Sequence, residues 1–323
     1  MEKRIFLLLF VVFHLLQAAQ VPVRHSVPPH PEIEPPWFTG PLLAPSTLTV
    51  PPGHFNIQPY IYATANIGRY DNNYRSHKRH TLWNNTLQIP FQVGITSWMD
   101  VVISPVLNYN YSRGAAKWVV GDFPLSLDFQ LLKRNKDLTK WETSLLFRIQ
   151  EVVPIGKYRN LDPKKYSTDI GGEGSWQTNL ILSWGNLFYL GKIYFINWRT
   201  ALQYSLPASL HVTNLNAYGG GPGTRGTVYP GKSFSIDTAV EITLSQNWVF
   251  AMDVVGNWSQ KTKFSGVSAI SNSLLASVQY SLAPALEYNW NDDLGIIFGC
   301  WFTVAGKNTA QFVSSIASLN YFY

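Results

Sequence analysis

Along most of this chain, apolar and polar residues take turns. Phe123, Leu125, Leu127, Phe129 and Leu131 interleave with Asp122, Ser126, Asp128 and Gln130. Phe234, Ile236, Val240, Ile242 and Leu244 do the same with Ser235, Asp237, Glu241 and Thr243, as do Leu87, Ile89, Phe91 and Val93 with Asn84, Thr86, Gln88 and Gln92. A period of two places one set of side chains on each face of a strand. No stretch after the N-terminus reaches the roughly 18 consecutive apolar residues that a spanning helix needs. The apolar content, with 12 Trp, 17 Tyr and 18 Phe and only 14% charged residues, is therefore spread over many short segments. A membrane β-barrel uses such a pattern, because only its outward face meets lipid.

Twelve such segments are expected, starting near Phe55, Thr81, Met99, Asp122, Trp141, Ser175, Ile193, Ser233, Trp248, Asn272, Leu294 and Ala310. An even number suits an all-β, antiparallel up-and-down transmembrane barrel. The connections are read as alternating in length. Short ones fall near Thr96, Asn135, Asn186, Gln246 and Asp292, and longer ones near Arg75, Ala115, Lys164, Gly220, Lys263 and Lys307. Short turns are expected to face the periplasm and long loops the outside. Trp98, Trp141, Trp184, Trp198, Trp248, Trp258, Trp290 and Trp301 are expected to form interfacial girdles.

Residues 1–19 read as a secretory signal peptide: Lys3 and Arg4, then the apolar run from Ile5 to Leu16, then Ala18 and Ala19. Residues 20–53 form a proline-rich lead that cannot pair into a sheet, because proline lacks the N–H donor. Its sequence leaves two placements open, an extended periplasmic lead or a segment tucked into the barrel mouth. Residues 54–323 are assigned to the barrel. Cys300 is the one cysteine, so no disulfide forms within the chain.

The net charge of +6 comes from connecting segments, with Arg69, Arg75, Lys78 and Arg79 together, Lys157, Arg159, Lys164 and Lys165 together, and Lys261 near Lys263. Phosphate-bearing outer-membrane lipid, lipopolysaccharide, is one expected counterpart and simple solvation of exposed loops the alternative, and no nucleic-acid partner is expected. The inward set is acidic on balance. Asp128, Glu142, Asp237, Glu241, Asp253 and Glu287, with Asp122, stand against Arg148 and Arg199 as the expected lumen-lining residues, among many Asn and Gln. Such groups either line a conducting lumen or pair across it and fill it.

Patterns that suggest chemistry fail on context. Gly226, Gly231, Lys232 and Ser233 fit the spacing of a phosphate-binding loop, but the residues that follow alternate as a strand, where that motif requires a helix. The histidines show no metal-ligand spacing, so no metal or cofactor is expected. His211 with Thr213 is the nearest approach to a hydrolytic site, and no third group accompanies it.

The segment YSLAPALEYNWNDDLGIIFGCWFTVAGKN, from Tyr280 to Asn308, resembles the closing strands of a bacterial family of outer-membrane proteins of the phenol meta-degradation pathway, described as transporters. The resemblance rests on Pro284, Glu287, Tyr288, Asn289, Leu294, Gly295, Gly299, Gly306, Lys307 and Asn308, with the turn from Gly94 to Trp98 similar in style. It implies a channel or transporter and carries over no catalytic residue. The final strand, ending at Tyr323, also resembles the signal by which the barrel-assembly machinery recognises its clients. The expectation is therefore passive passage of a small solute, hydrophobic or aromatic by the resemblance. The alternatives are a plugged barrel whose loops bind a surface partner, and a lipid-modifying barrel enzyme.

Overall fold

The computed structural model describes residues 35–133, 142–267 and 275–323. The expected signal peptide, residues 20–34 of the lead, Trp141, the turn expected at Asn135 and the strand start expected at Asn272 lie outside the described residues, as does the side chain of Glu142.

The strands are β1 (Phe55–Ile57), β2 (Tyr60–Tyr70), β3 (Ser76–Gln88), β4 (Phe91–Thr96), β5 (Met99–Ile103), β6 (Val106–Ser112), β7 (Ala115–Val120), β8 (Phe123–Leu132), β9 (Glu142–Val153), β10 (Gln177–Gly191), β11 (Tyr194–Pro207), β12 (Leu210–Thr213), β13 (Arg225–Tyr229), β14 (Ser233–Thr243), β15 (Trp248–Ser259), β16 (Lys263–Val267), β17 (Ser277–Asn289), β18 (Leu294–Lys307) and β19 (Ala310–Phe322). Sixteen of them form one antiparallel sheet, which closes where β19 pairs with both β1 and β2. The pairs β1 and β2, β3 and β4, β5 and β6, and β7 and β8 each run on as one stave, so the wall has twelve. The remaining three, β12, β13 and β16, make a small sheet beyond the wall, on the long connections.

The two faces sort as the alternation requires. Ile61, Trp184, Leu202 and Val254 point outward and are exposed, while Asn179 and Ser183 on β10, Asp253 on β15 and Ser281 on β17 are buried inside. Closure leaves no sheet edge in the wall, and an apolar exterior around a polar interior is a membrane-spanning structure. Aromatic rings ring both ends. Trp248, Tyr288 and Trp290 pack together at the short-turn end, and Phe234, Trp258 and Tyr280 at the long-loop end. Trp301 departs from the expected girdle. It shares the inward parity of Ile297 and Gly299, donates from Nε1 to Ser281 Oγ at 2.8 Å, and packs edge-on against Phe312.

The connections correct three expectations. Asn186 lies inside β10, facing outward and accepting a hydrogen bond from Thr143 Oγ1, and the turn comes later, at Lys192. The connections expected to be long near Ala115 and Lys307 are tight two-residue turns, Arg113-Gly114 and Asn308-Thr309, and Arg113 and Asn308 supply the left-handed backbone. The long connections are residues 154–176, 208–232 and 260–276.

The wall carries one row of interrupted pairing. Gln58 N–H donates to Pro90 O, Ile89 N–H to Pro105 O, Ser104 N–H to Pro124 O and Leu319 N–H to Pro59 O, at 3.0 to 3.3 Å. In an antiparallel ladder each such pair exchanges two bonds, but a proline cannot return one. Four adjoining strand pairs thus lose a bond at the same level of the sheet.

Candidate functional site in the barrel interior

Residues 35–53 of the proline-rich lead run along the inner wall near the short-turn end, and lumen carboxylates hold them there. Glu287 Oε2 accepts the Thr39 N–H at 2.7 Å. Asp253 accepts the N–H groups of Leu42 at 3.1 Å, Leu43 at 3.3 Å and Ala44 at 3.0 Å. Asp100 Oδ2 accepts the Val50 N–H at 2.7 Å and Gln92 Nε2 at 2.7 Å. Between these anchors Gln130 bonds Thr47 O and the Thr49 N–H, and Ser144 Oγ donates to Thr47 Oγ1. The segment thereby passes β17, β15, β9, β8 and β5 in turn before entering β1. Its prolines disfavour pairing into a sheet, and five of its N–H groups, those of Thr39, Leu42, Leu43, Ala44 and Val50, go to carboxylates, which make charge-assisted bonds worth about 1.5–3 kcal/mol each.

The wall is shaped for this passage. A Cβ at Gly94 would meet the Pro51 carbonyl, and one at Gly299 would meet the Leu42 side chain. Leu42 fills the space so opened, in an apolar cluster with Ala251, Ala283, Ala285, Ile297 and Ile316, against which Leu43, Tyr60, Tyr62 and Trp301 pack.

Four other inward charges form two pairs. Arg148 Nε and Nη2 each reach Asp128 at 2.6 Å, a bidentate fork. Arg199 Nε lies 3.0 Å from Glu241 Oε2, which also accepts Asn197 Nδ2 at 2.6 Å. The structure therefore brings the named residues together as two groups, Asp128 with Arg148, and Glu241 with Arg199, beside the anchors Asp253 and Glu287. Asp237 faces inward between Ala201 and Val255, and its Oδ1 has no hydrogen-bond partner. Asp122 sits apart, toward the long-loop end, where it accepts the N–H groups of Gly156 at 2.9 Å and Glu173 at 2.8 Å. Of the residues considered for chemistry, His211 lies on β12 outside the wall, with Nδ1 3.1 Å from Thr227 Oγ1, and Gly226 and Ser233 fall on strands.

Sequence reasoning missed Asp100 and the pair Tyr60 and Tyr62. Asp100 shares the inward parity of Val102, opposite Asp128, and is fully buried. Parity alone identifies Tyr60 and Tyr62 as inward, since Ile61 between them is exposed.

A cavity of about 610 Å³ remains between the internal segment and the wall. Its lining includes Arg148, Gln150 and Arg199, and also Leu43, Tyr60 and Tyr62, whose rings stack at 5.7 Å. Gln58, Pro90 and Ser104 of the interrupted row face the same cavity.

No protein-family model and no curated protein matches the sequence. Among solved structures, the chain is similar to an outer-membrane channel from Pseudomonas putida F1, with a TM-score of 0.65 at 12% identity over 86% of this chain and 98% of that one. It is more distantly similar to the beta domain of the Bordetella autotransporter BrkA, at a TM-score of 0.43 with 8% identity over 83% of this chain and 98% of that one. For the CymD monoaromatic hydrocarbon channel the TM-score is 0.34, with 10% identity over 84% of this chain and 88% of that one. The chain thus has the fold of an outer-membrane barrel, closed by twelve antiparallel staves around an interior that its own N-terminal segment partly fills.

Proposed function

We propose that the protein is an outer-membrane channel for passive passage of small solutes, hydrophobic or aromatic in class. The observation that carries this reading is the cavity. Its volume of about 610 Å³ falls in the range that holds a small molecule, and Tyr60, Tyr62 and Leu43 give one side of it an apolar and aromatic surface within a polar lumen. The resemblance to outer-membrane proteins of phenol degradation points the same way. So do the descriptions of the Pseudomonas putida structure as an outer-membrane channel and of CymD as a monoaromatic hydrocarbon channel.

The internal segment obstructs the axial route at the short-turn end, so a second exit follows from the wall. The interrupted row borders the cavity through Gln58, Pro90 and Ser104, and parting the sheet there breaks fewer bonds than elsewhere. An apolar solute leaving sideways enters hydrocarbon, which favours it by about 25 cal/mol per Å² of apolar surface kept from water. The final strand ending at Tyr323 would serve as the recognition element for barrel assembly.

The test is initial uptake of radiolabelled phenol and toluene by intact cells of a porin-poor strain that expresses the protein, compared with cells expressing the Tyr60→Ala, Tyr62→Ala double variant. Faster uptake with the native chain, reduced in the variant, is expected. Equal uptake with and without the protein at verified surface levels would remove the channel reading and favour a plugged barrel.

A further inference from the structure

The register of the wall carries a cationic row onto its outer face at the long-loop end, which passage through the lumen does not use. Directly paired residues on neighbouring strands share a face of the sheet. Phe234 pairs with Trp258, Trp258 with Val278, and Val278 with Lys307. Beyond the Asn308-Thr309 turn, Ala310 pairs with Arg69, and Arg69 with His77. Phe234 and Trp258 stack at 5.9 Å in the outer aromatic girdle, so Lys307, Arg69 and His77 face outward with them.

Strand β3 extends the row toward the membrane. Trp83 is exposed on the outer face, opposite the exposed Tyr111 of β6. His77 and Trp83 lie on one continuous strand, and alternation between them puts Arg79 on the same face. Exposed Trp and Tyr mark the headgroup level of a bilayer. Arg79 stands four residues beyond Trp83, roughly 13 Å along the strand, and Lys307 two residues beyond Ala305, the partner of the exposed Tyr280. The cations therefore begin where lipid phosphates lie.

The chain supplies these cations with no acid. Asp71 accepts His77 Nε2 at 2.9 Å and the N–H groups of Asn73 at 2.7 Å and Arg75 at 3.0 Å. Arg69 Nη2 donates to Asn308 O at 3.3 Å. Among the described residues, no carboxylate makes an ion pair with Arg69, Arg79 or Lys307. Between Lys307 and Arg69 stands the small side chain of Ala310, over two strand spacings of about 4.8 Å, so both long side chains reach a group lying above it. Arg79 is the diagonal neighbour of Arg69, about 7–8 Å away. Guanidinium groups so placed match phosphate oxygens in charge and in fork geometry.

We propose that Arg69, Arg79 and Lys307 form a binding site for the phosphate groups of the outer-leaflet glycolipid, on the lipid-facing side of the wall. The site rests on the reading that the long-loop end faces the outer leaflet. It does not depend on the lumen being open. Lys307 and Arg69 flank the seam where β19 meets β2, so a phosphate held between them bridges the first and last staves of the barrel.

The test uses the full chain purified in detergent, with bisphosphorylated lipid A as the probe and native mass spectrometry as the readout. Dephosphorylated lipid A and inorganic phosphate are run alongside. Retention of lipid A is expected, with roughly tenfold weaker binding for the Arg69→Gln, Arg79→Gln double variant. The control is Lys117→Gln with Lys165→Gln, which removes as much charge from the lumen side. Lys117 neighbours the outward Trp118, and Lys165 belongs to residues 154–176, which Asn110 holds on the inner side through Thr168 O at 3.1 Å. Near-native binding is expected for it. Heat-modifiable migration on gels checks that each variant is folded. Equal binding of the dephosphorylated lipid, or equal loss in the control and the arginine variant, would overturn the proposal. So would native binding by the folded arginine variant. Displacement of lipid A by millimolar inorganic phosphate would do so too, by naming a free solute as the ligand. Planar-bilayer conductance of the same samples reports on the channel reading separately.

Discussion

Asp253 and Ala44 meet inside the barrel, the Ala44 N–H standing 3.0 Å from one carboxylate oxygen while the Leu42 N–H stands 3.1 Å from the other. A wall strand and the N-terminal segment are thus tied by one side chain that takes several backbone donors. Asp253→Ala leaves those donors buried without an acceptor, at about 1–3 kcal/mol each. The expected outcome is a segment that leaves the wall intermittently, seen in planar bilayers as larger, noisier conductance, with heat-modifiability unchanged. Conductance identical to the native protein would show that the segment is held by something else.

Among the described residues, Arg148 is the only guanidinium on Asp128, with Asp100 close by on the facing strand. Removing it as Arg148→Ala leaves a fully buried carboxylate without its partner, for which about 3 kcal/mol of destabilisation is expected. Urea unfolding in liposomes measures this, and the reversal potential in a salt gradient should move toward stronger cation preference. A variant as stable as the native chain would mean that water already compensates Asp128.

Pro90→Ala returns an N–H to the row of halved pairs, opposite the Gln58 carbonyl. The added bond contributes about 1 kcal/mol, and the loss of proline's restraint on the unfolded chain offsets it by about 0.4–1 kcal/mol. Stability is therefore expected to change little while uptake of an apolar solute slows. Unchanged uptake would exclude a sideways exit along this row.

Asp71 lies outside the membrane, between β2 and β3. The hydrogen bond from His77 Nε2, followed by the Arg75 N–H, holds its carboxyl down at about 2. A lowered folded value means that this contribution to the turn is complete above the unfolded carboxylate range near 4 and is lost as pH falls toward 2. Carboxyl carbon NMR of selectively labelled protein should give a midpoint near 2 for Asp71 that rises in His77→Ala. The same midpoint in both would remove His77 as the cause.

Much of this arrangement was legible from residue order. The alternation around Asp128, Asp237 and Glu241 assigns those side chains to the interior without any knowledge of their partners. Asp100 escaped notice because Met99, Val101, Val102 and Ile103 surround it with a nearly continuous apolar run, in which parity is hard to see. Asn186 misled because a polar residue on the lipid face looks like a turn. The tight turn after Lys307 has a signature in Asn308, a residue suited to left-handed backbone. The docking of residues 35–53 was beyond sequence reasoning for a physical reason. Its donors are backbone N–H groups of Thr39, Leu42, Leu43, Ala44 and Val50, which every residue type but proline possesses.

The ties from Glu287 and Asp253 reach back over 248 and 211 residues of chain, whereas that from Asp100 spans only 50. Contacts so remote in sequence form late, after the intervening loop entropy has been overcome. The stretch from Thr39 to Ala44 is therefore among the last to settle, although it precedes every strand of the wall in the chain. Its seating, which requires β5, β15 and β17 to be in register at once, makes it an internal seal that records whether assembly was completed.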